Sequence, residues 1–143
     1  RQDPTFARTS GKRVGRDGCR IPLPWEPEGN SSGFSESGQS WLPQPASYKD
    51  LARSLQEKDS GSTLSLYKAA LSLRKQLGLG EGSFDWLAGH LGPNALGYEN
   101  SGVRVIYNFG AEPIDLSAYQ VLIASEPLSG NQLATNQCAW VKP

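Results

Sequence analysis

The chain has 143 residues, with 14 basic residues balanced by 14 acidic ones, enough for one domain or two small pieces. Net neutrality with only 20% charged residues excludes attraction to nucleic acid or to an acidic surface through bulk charge. Gly 16 and Pro 10 predict that much of the chain is loop, while four Trp, five Tyr and four Phe supply core or stacking material. No Met occurs and the first residue is Arg1, so the chain is expected to be part of a longer protein. No apolar run reaches membrane length.

Residues 1–20 carry Arg1, Arg8, Lys12, Arg13, Arg16 and Arg20 against Asp3 and Asp17, without helical or strand period. They read as a solvated loop. A phosphate-binding arm would need aromatic residues among the cations, and none interleaves Lys12–Arg20. Residues 21–45 hold Pro22, Pro24, Pro27, Pro43 and Pro45, with Trp25 and Trp41 near the ends. Proline removes ladder donors and breaks helices, so irregular chain is predicted. So long an irregular stretch is unusual in a compact domain unless it lines a site or rests on a larger scaffold. Residues 47–58 have a weak helical pattern in Tyr48, Leu51, Ala52 and Leu55.

The spacing predicts a helix within residues 59–78. Leu66, Ala70, Leu73 and Leu77 follow one stripe, and Leu64, Tyr67 and Leu71 run beside it. That apolar face is wider than one partner needs. Asp59, Ser60 and Ser62 are candidate N-caps, Arg74 and Lys75 suit the last turn, and Gly78 suits the C′ position. Beyond it the period changes. VRVIYNF places Val103, Val105, Tyr107 and Phe109 on one face by alternation, and further strands are predicted at 114–116, 119–124 and 138–141. Turn chemistry separates them, in NSG, GAEP and LSG. A small antiparallel sandwich follows.

Chemistry-bearing residues are sparse. Asp17, Glu26, Glu28 and Glu36 have no spacing that fixes a catalytic separation, and read as surface carboxylates. His90, the one histidine, sits in AGHLG as a turn residue, and no GxSxG elbow accompanies it. No Cys or His pair has metal spacing, and no glycine-rich stretch matches a phosphate loop, so neither metal nor cofactor is expected. Cys19 and Cys138 read as two separate thiols in a reducing compartment, with a disulfide as the alternative. Trp25 and Trp41 either pin the proline-rich segment or stack on sugar faces.

GRDGCRIPLPW resembles the loop after the eighth barrel strand in α-glucosidases of the α-amylase family, whose RD-x-x-R-x-P-x-x-W pattern is filled by Arg16, Asp17, Arg20, Pro22 and Trp25. QDPTFART, GFS and WLPQP are similar to segments of the bacterial members, oligo-1,6-glucosidase and maltase among them. Gln56, Asp59, Ser62, Leu64, Tyr67, Leu71, Leu73 and Arg74 resemble the run along the last barrel helix. VIYNFGAEPIDL and CAWVKP are similar to the small β-sandwich that follows. The resemblance implies an α+β fragment. Residues 1–78 would be the last βα loop and final helix of a (β/α)8 TIM barrel, and residues 79–143 a C-terminal antiparallel β-sandwich. It implies a retaining hydrolase that releases terminal α-linked glucose from oligosaccharides. Arg20 is then the substrate-binding residue, and Asp17 orients the loop.

The family's nucleophilic Asp, acid/base Glu and second Asp lie on earlier strands, so no catalytic residue is expected here and the chain alone should be inactive. Its expected partners are the oligosaccharide and the upstream barrel of the same protein, with no nucleic acid and no membrane, in the cytoplasm. One rival reading is a non-catalytic carbohydrate-binding β module that stacks sugars on Trp25, Trp41 and Trp86. Another is a structural β domain with a basic arm.

Overall fold

The computed structural model describes residues 2–87 and 91–143. The chain divides into two compact units, residues 1–65 and 66–143.

The first unit is built from short pieces. Helix α1 is Pro4–Arg8; Asp3 caps it by accepting the Thr5 N–H at 2.8 Å, and Pro4 starts it. No helix was expected in residues 1–20. Five residues are too few to display a period, and the cap and the proline carry the signal instead. Single 3₁₀ turns follow at Asp17–Arg20, Asn30–Gly33 and Ala46–Leu51, then the one-turn helix α2, Arg53–Gln56. Gln44 ties the proline-rich segment together. It accepts from the Ser31 hydroxyl at 2.8 Å and donates to the Pro22 carbonyl at 3.2 Å. Leu42, Ala52 and Pro24 are buried in this unit, while Leu23, Trp25, Phe34 and Leu51 stay exposed.

Helix α3, Thr63–Gln76, is closed at both ends as its sequence directs. Ser62 Oγ accepts the Ser65 N–H at 3.2 Å, which selects Ser62 among the three candidate caps. At the other end Gly78 has φ +62°, Leu79 N–H donates to Arg74 O at 3.0 Å and Gly78 N–H to Lys75 O at 3.4 Å. That is a Schellman closure with Gly78 at C′.

The second unit carries seven strands: β1 Phe84–Trp86, β2 Ala95–Asn100, β3 Val103–Asn108, β4 Ile114–Asp115, β5 Gln120–Ala124, β6 Gln132–Leu133 and β7 Cys138–Lys142. Five form an antiparallel sheet in the order β1-β2-β3-β7-β5, and β4 pairs with β6. Ile106 lies opposite Ala139, and Val141 is paired with both Arg104 and Val121. This face packs with Leu116 and Leu133 into the buried core. A bulge between Val121 and Ile123 turns Ile123 to the opposite face beside Trp140.

That opposite face holds Val103, Val105, Tyr107 and Trp140. Leu66, Tyr67 and Ala70 of α3 line a cleft of about 340 Å³ with Tyr107, Ile123, Cys138 and Trp140. β3 is therefore covered on both faces: Val103 and Val105 are buried on one side, Ile106 and Asn108 on the other. The buried Asn108 is satisfied: its Nδ2 donates to the Glu112 and Leu133 carbonyls, both at 2.9 Å, and its Oδ1 accepts the Gly110 N–H at 2.8 Å.

Candidate functional site

Arg20 ends the 3₁₀ turn Asp17–Arg20, and two carboxylates hold the chain around it. Asp17 is buried and accepts the Gln2 N–H at 2.8 Å, which ties the two ends of the loop together across 15 residues. Asp3 is also buried. Its Oδ2 accepts the Arg16 N–H at 3.0 Å and meets Arg20 Nη1 at 3.0 Å, while its Oδ1 caps α1. The N–H donors of Arg16 and Thr5, helped by the Arg20 charge, hold the Asp3 carboxyl far below the usual carboxylate range. Asp3 is an anion throughout the physiological range.

The Arg20 side chain is 48% exposed. With Gln2, Pro4, Asp17, Trp41 and Leu42 it lines a cleft of about 410 Å³. Trp41 is 77% exposed there and is free to present a ring face. Guanidinium and indole are the pair of groups that sugars engage, one through fixed N–H donors and the other through an apolar face. Trp25 is anchored differently. Its backbone N–H donates to Ser32 O at 2.8 Å, and its carbonyl accepts from Ser54 at 3.0 Å.

Sequence reasoning picked out Arg20 and gave Asp17 the orienting part, but passed over Asp3. The signal was present: Asp before Pro and Thr is an N-cap signature. Glu26 and Glu36 are exposed and are not brought together with Asp17. Glu28 lies 3.7 Å from Lys49 on the surface. His90 falls outside the described residues. Cys19 and Cys138 are both free thiols, one exposed and one half-buried. Among the described residues no group of three or more His, Cys, Asp or Glu is placed to hold a metal ion, and no helix is long and apolar enough to cross a membrane. Trp86 packs edge-on against Phe84, with ring centroids 4.9 Å apart.

The family model "Alpha amylase, catalytic domain" matches residues 2–81. The chain belongs to the α-amylase family. It is 30% identical over 152 aligned residues to a salivary α-glucosidase of Aedes aegypti, covering 97% of this chain and 26% of that protein. It is 38% identical over 116 residues to a probable α-glucosidase of Rhizobium meliloti (strain 1021), covering 78% of this chain and 20% of that protein. The solved structure of the α-glucosyl transfer enzyme XgtA superposes with a TM-score of 0.74 at 28% identity, over 99% of this chain and 28% of XgtA. This α-amylase-family chain thus spans about a quarter of the length of the relatives it matches. These matches, all to enzymes, disfavour a stand-alone carbohydrate-binding module.

Proposed function

We propose that the chain is the C-terminal part of a retaining α-glucosidase that releases terminal α-linked glucose from oligosaccharides. Residues 1–78 would be the last barrel loop and helix, and residues 79–143 the sandwich that follows. The observation that carries this reading is the half-exposed Arg20 guanidinium, held over a cleft beside Trp41 inside the RD-x-x-R-x-P-x-x-W loop. Such a group suits the hydroxyls of a non-reducing-end glucose. The family match running to residue 81, past the end of α3, supports the same partition.

Catalysis in this reading belongs to carboxylates outside the chain. Asp3 and Asp17 are both committed to holding the loop, so neither is free to act as nucleophile or acid. The chain alone is therefore expected to release no glucose from a chromogenic α-glucoside. Its other partner would be the upstream barrel, covering the surface the first unit leaves bare.

The test is Arg20→Ala in the full-length enzyme. Loss of one charged contact to the sugar should lower kcat/KM by about 2–4 kcal/mol of transition-state stabilisation, with little change in Tm. An unchanged kcat/KM removes Arg20 from the site and this reading with it.

A further inference from the structure

We infer that Asp3 is the positioning residue for Arg20: its buried carboxylate fixes the guanidinium so that the remaining N–H groups face the cleft. The inference rests on the proposed role of Arg20 and goes beyond it, because Asp3 lies outside the RD-x-x-R-x-P-x-x-W pattern.

A flexible arginine on an irregular loop would spread its guanidinium over many rotamers, and sugar recognition needs one. Three observations assign the restraint to Asp3. Its carboxylate is 6% exposed, yet it meets a guanidinium that is 48% exposed, so the anion is the fixed partner and the cation the presented one. The carboxylate is itself locked from two sides, by the Thr5 N–H on Oδ1 and the Arg16 N–H on Oδ2. Finally, the backbone has made room for it. Gly15 has φ +78°, and a Cβ built there would lie 2.6 Å from Asp3 Cγ. The loop closes over the carboxylate because that position has no side chain.

The pair consumes one Arg20 N–H, on Nη1, at 3.0 Å. A guanidinium has five such donors in a rigid fork, so four remain for ligand. Because the fork is planar, fixing one corner fixes the direction of the others. Asp3 thus acts through Arg20 and need not touch substrate.

A double-mutant cycle on kcat/KM in the full-length enzyme tests this, using Asp3→Asn and Arg20→Ala. Asparagine caps a helix as well as aspartate and keeps an acceptor for Thr5, but it removes the charge that holds Arg20 and the oxygen that accepts the Arg16 N–H. Asp3→Asn should lower kcat/KM roughly 10- to 100-fold when Arg20 is present, and have a much smaller effect in the Arg20→Ala background, where only the Arg16 bond is lost. A purely structural role for Asp3 would lower both backgrounds alike, and that result overturns the inference. So does an Asp3→Asn enzyme with wild-type kcat/KM. Either leaves the role of Arg20 standing, whereas a silent Arg20→Ala sinks both. Should Asp3→Asn not fold, Asp3→Ser keeps the cap oxygen and replaces it in the cycle. In the wild-type enzyme, Arg20 should also show slow guanidinium rotation by NMR, and fully averaged Nη resonances would overturn the assignment.

Discussion

Gly15 concentrates the demands that the N-terminal loop makes on its sequence. With φ +78° it occupies the left-handed region, where an L side chain costs about 1–2 kcal/mol. Its missing Cβ also leaves space for Asp3, whose Cγ and Cβ would stand 2.6 and 2.7 Å away. Both atoms belong to a side chain whose carboxylate is held by backbone donors, so it cannot swing aside cheaply. Gly15→Ala in the full-length enzyme should therefore lower Tm and displace Arg20, reducing kcat/KM together with stability; a variant matching wild type in both would show the loop yields more easily than its hydrogen bonds indicate. Little of this was legible beforehand. The loop motif marked Arg20, and the DPT triplet could have marked the cap. That Asp3, Gly15 and Arg20 converge depends on folding 17 residues of aperiodic chain, which no local pattern encodes.

Helix α3 and the longer strands were far more readable, because each is long enough to repeat. The two apolar stripes separate in the structure. Leu66, Ala70, Leu73 and Leu77 are half-buried, while Tyr67 and Leu71 are 64% and 60% exposed. Within the second stripe Leu64 is half-buried and Tyr67 borders the cleft on the sheet, which leaves Leu71 as its most outlying apolar group. Leu71→Lys should shift the stability of the isolated chain by no more than about 0.5 kcal/mol. In a full-length enzyme that covers Leu71 it should cost about 2–5 kcal/mol, read from urea melts of both proteins. Equal effects in the two would mean the stripe stays in water. Alternation likewise located β3, but gave one buried face where there are two, since Asn108 passes for a turn residue until its hydrogen bonds are seen. The two-residue β6 was too short to signal at all. Opposite β7, burial and then the neighbouring Cys138 push Tyr107 up to about 12, and burial pushes the Cys138 thiol up as well. Both groups are raised, so the Cys138 contribution is complete below the unfolded thiol value near 9.0 and the Tyr107 contribution below the unfolded tyrosine value of 10.0, the latter being lost as pH climbs toward about 12. Urea melts across that window should show the loss, and Tyr107→Phe should flatten it. An unaltered profile would place the alkaline transition elsewhere.

Taken together, the two units differ in what holds them. The second has a contiguous buried core in Ile106, Leu116, Leu133, Ala139 and Val141, with strands hydrogen-bonded around it. The first buries only Pro24, Leu42 and Ala52 among its described apolar residues and relies on caps, carboxylate–backbone bonds and Gln44. Neutral hydrogen bonds of that kind contribute about 0.5–1.5 kcal/mol each and those to a carboxylate about 1.5–3 kcal/mol, and they are few enough to set geometry more than they supply driving force. A segment with so little apolar burial opens locally at low free-energy cost. In the isolated chain, backbone amides of residues 2–58 should exchange within minutes, whereas those of β3 and β7 should remain protected until the second unit unfolds. In a full-length enzyme with the proposed upstream barrel, exchange in residues 2–58 should slow while that of β3 and β7 stays nearly unchanged. Uniformly slow exchange across residues 2–58 in the chain alone would mean the loop carries its own stability. The reading of it as a lip resting on a larger scaffold would then fall.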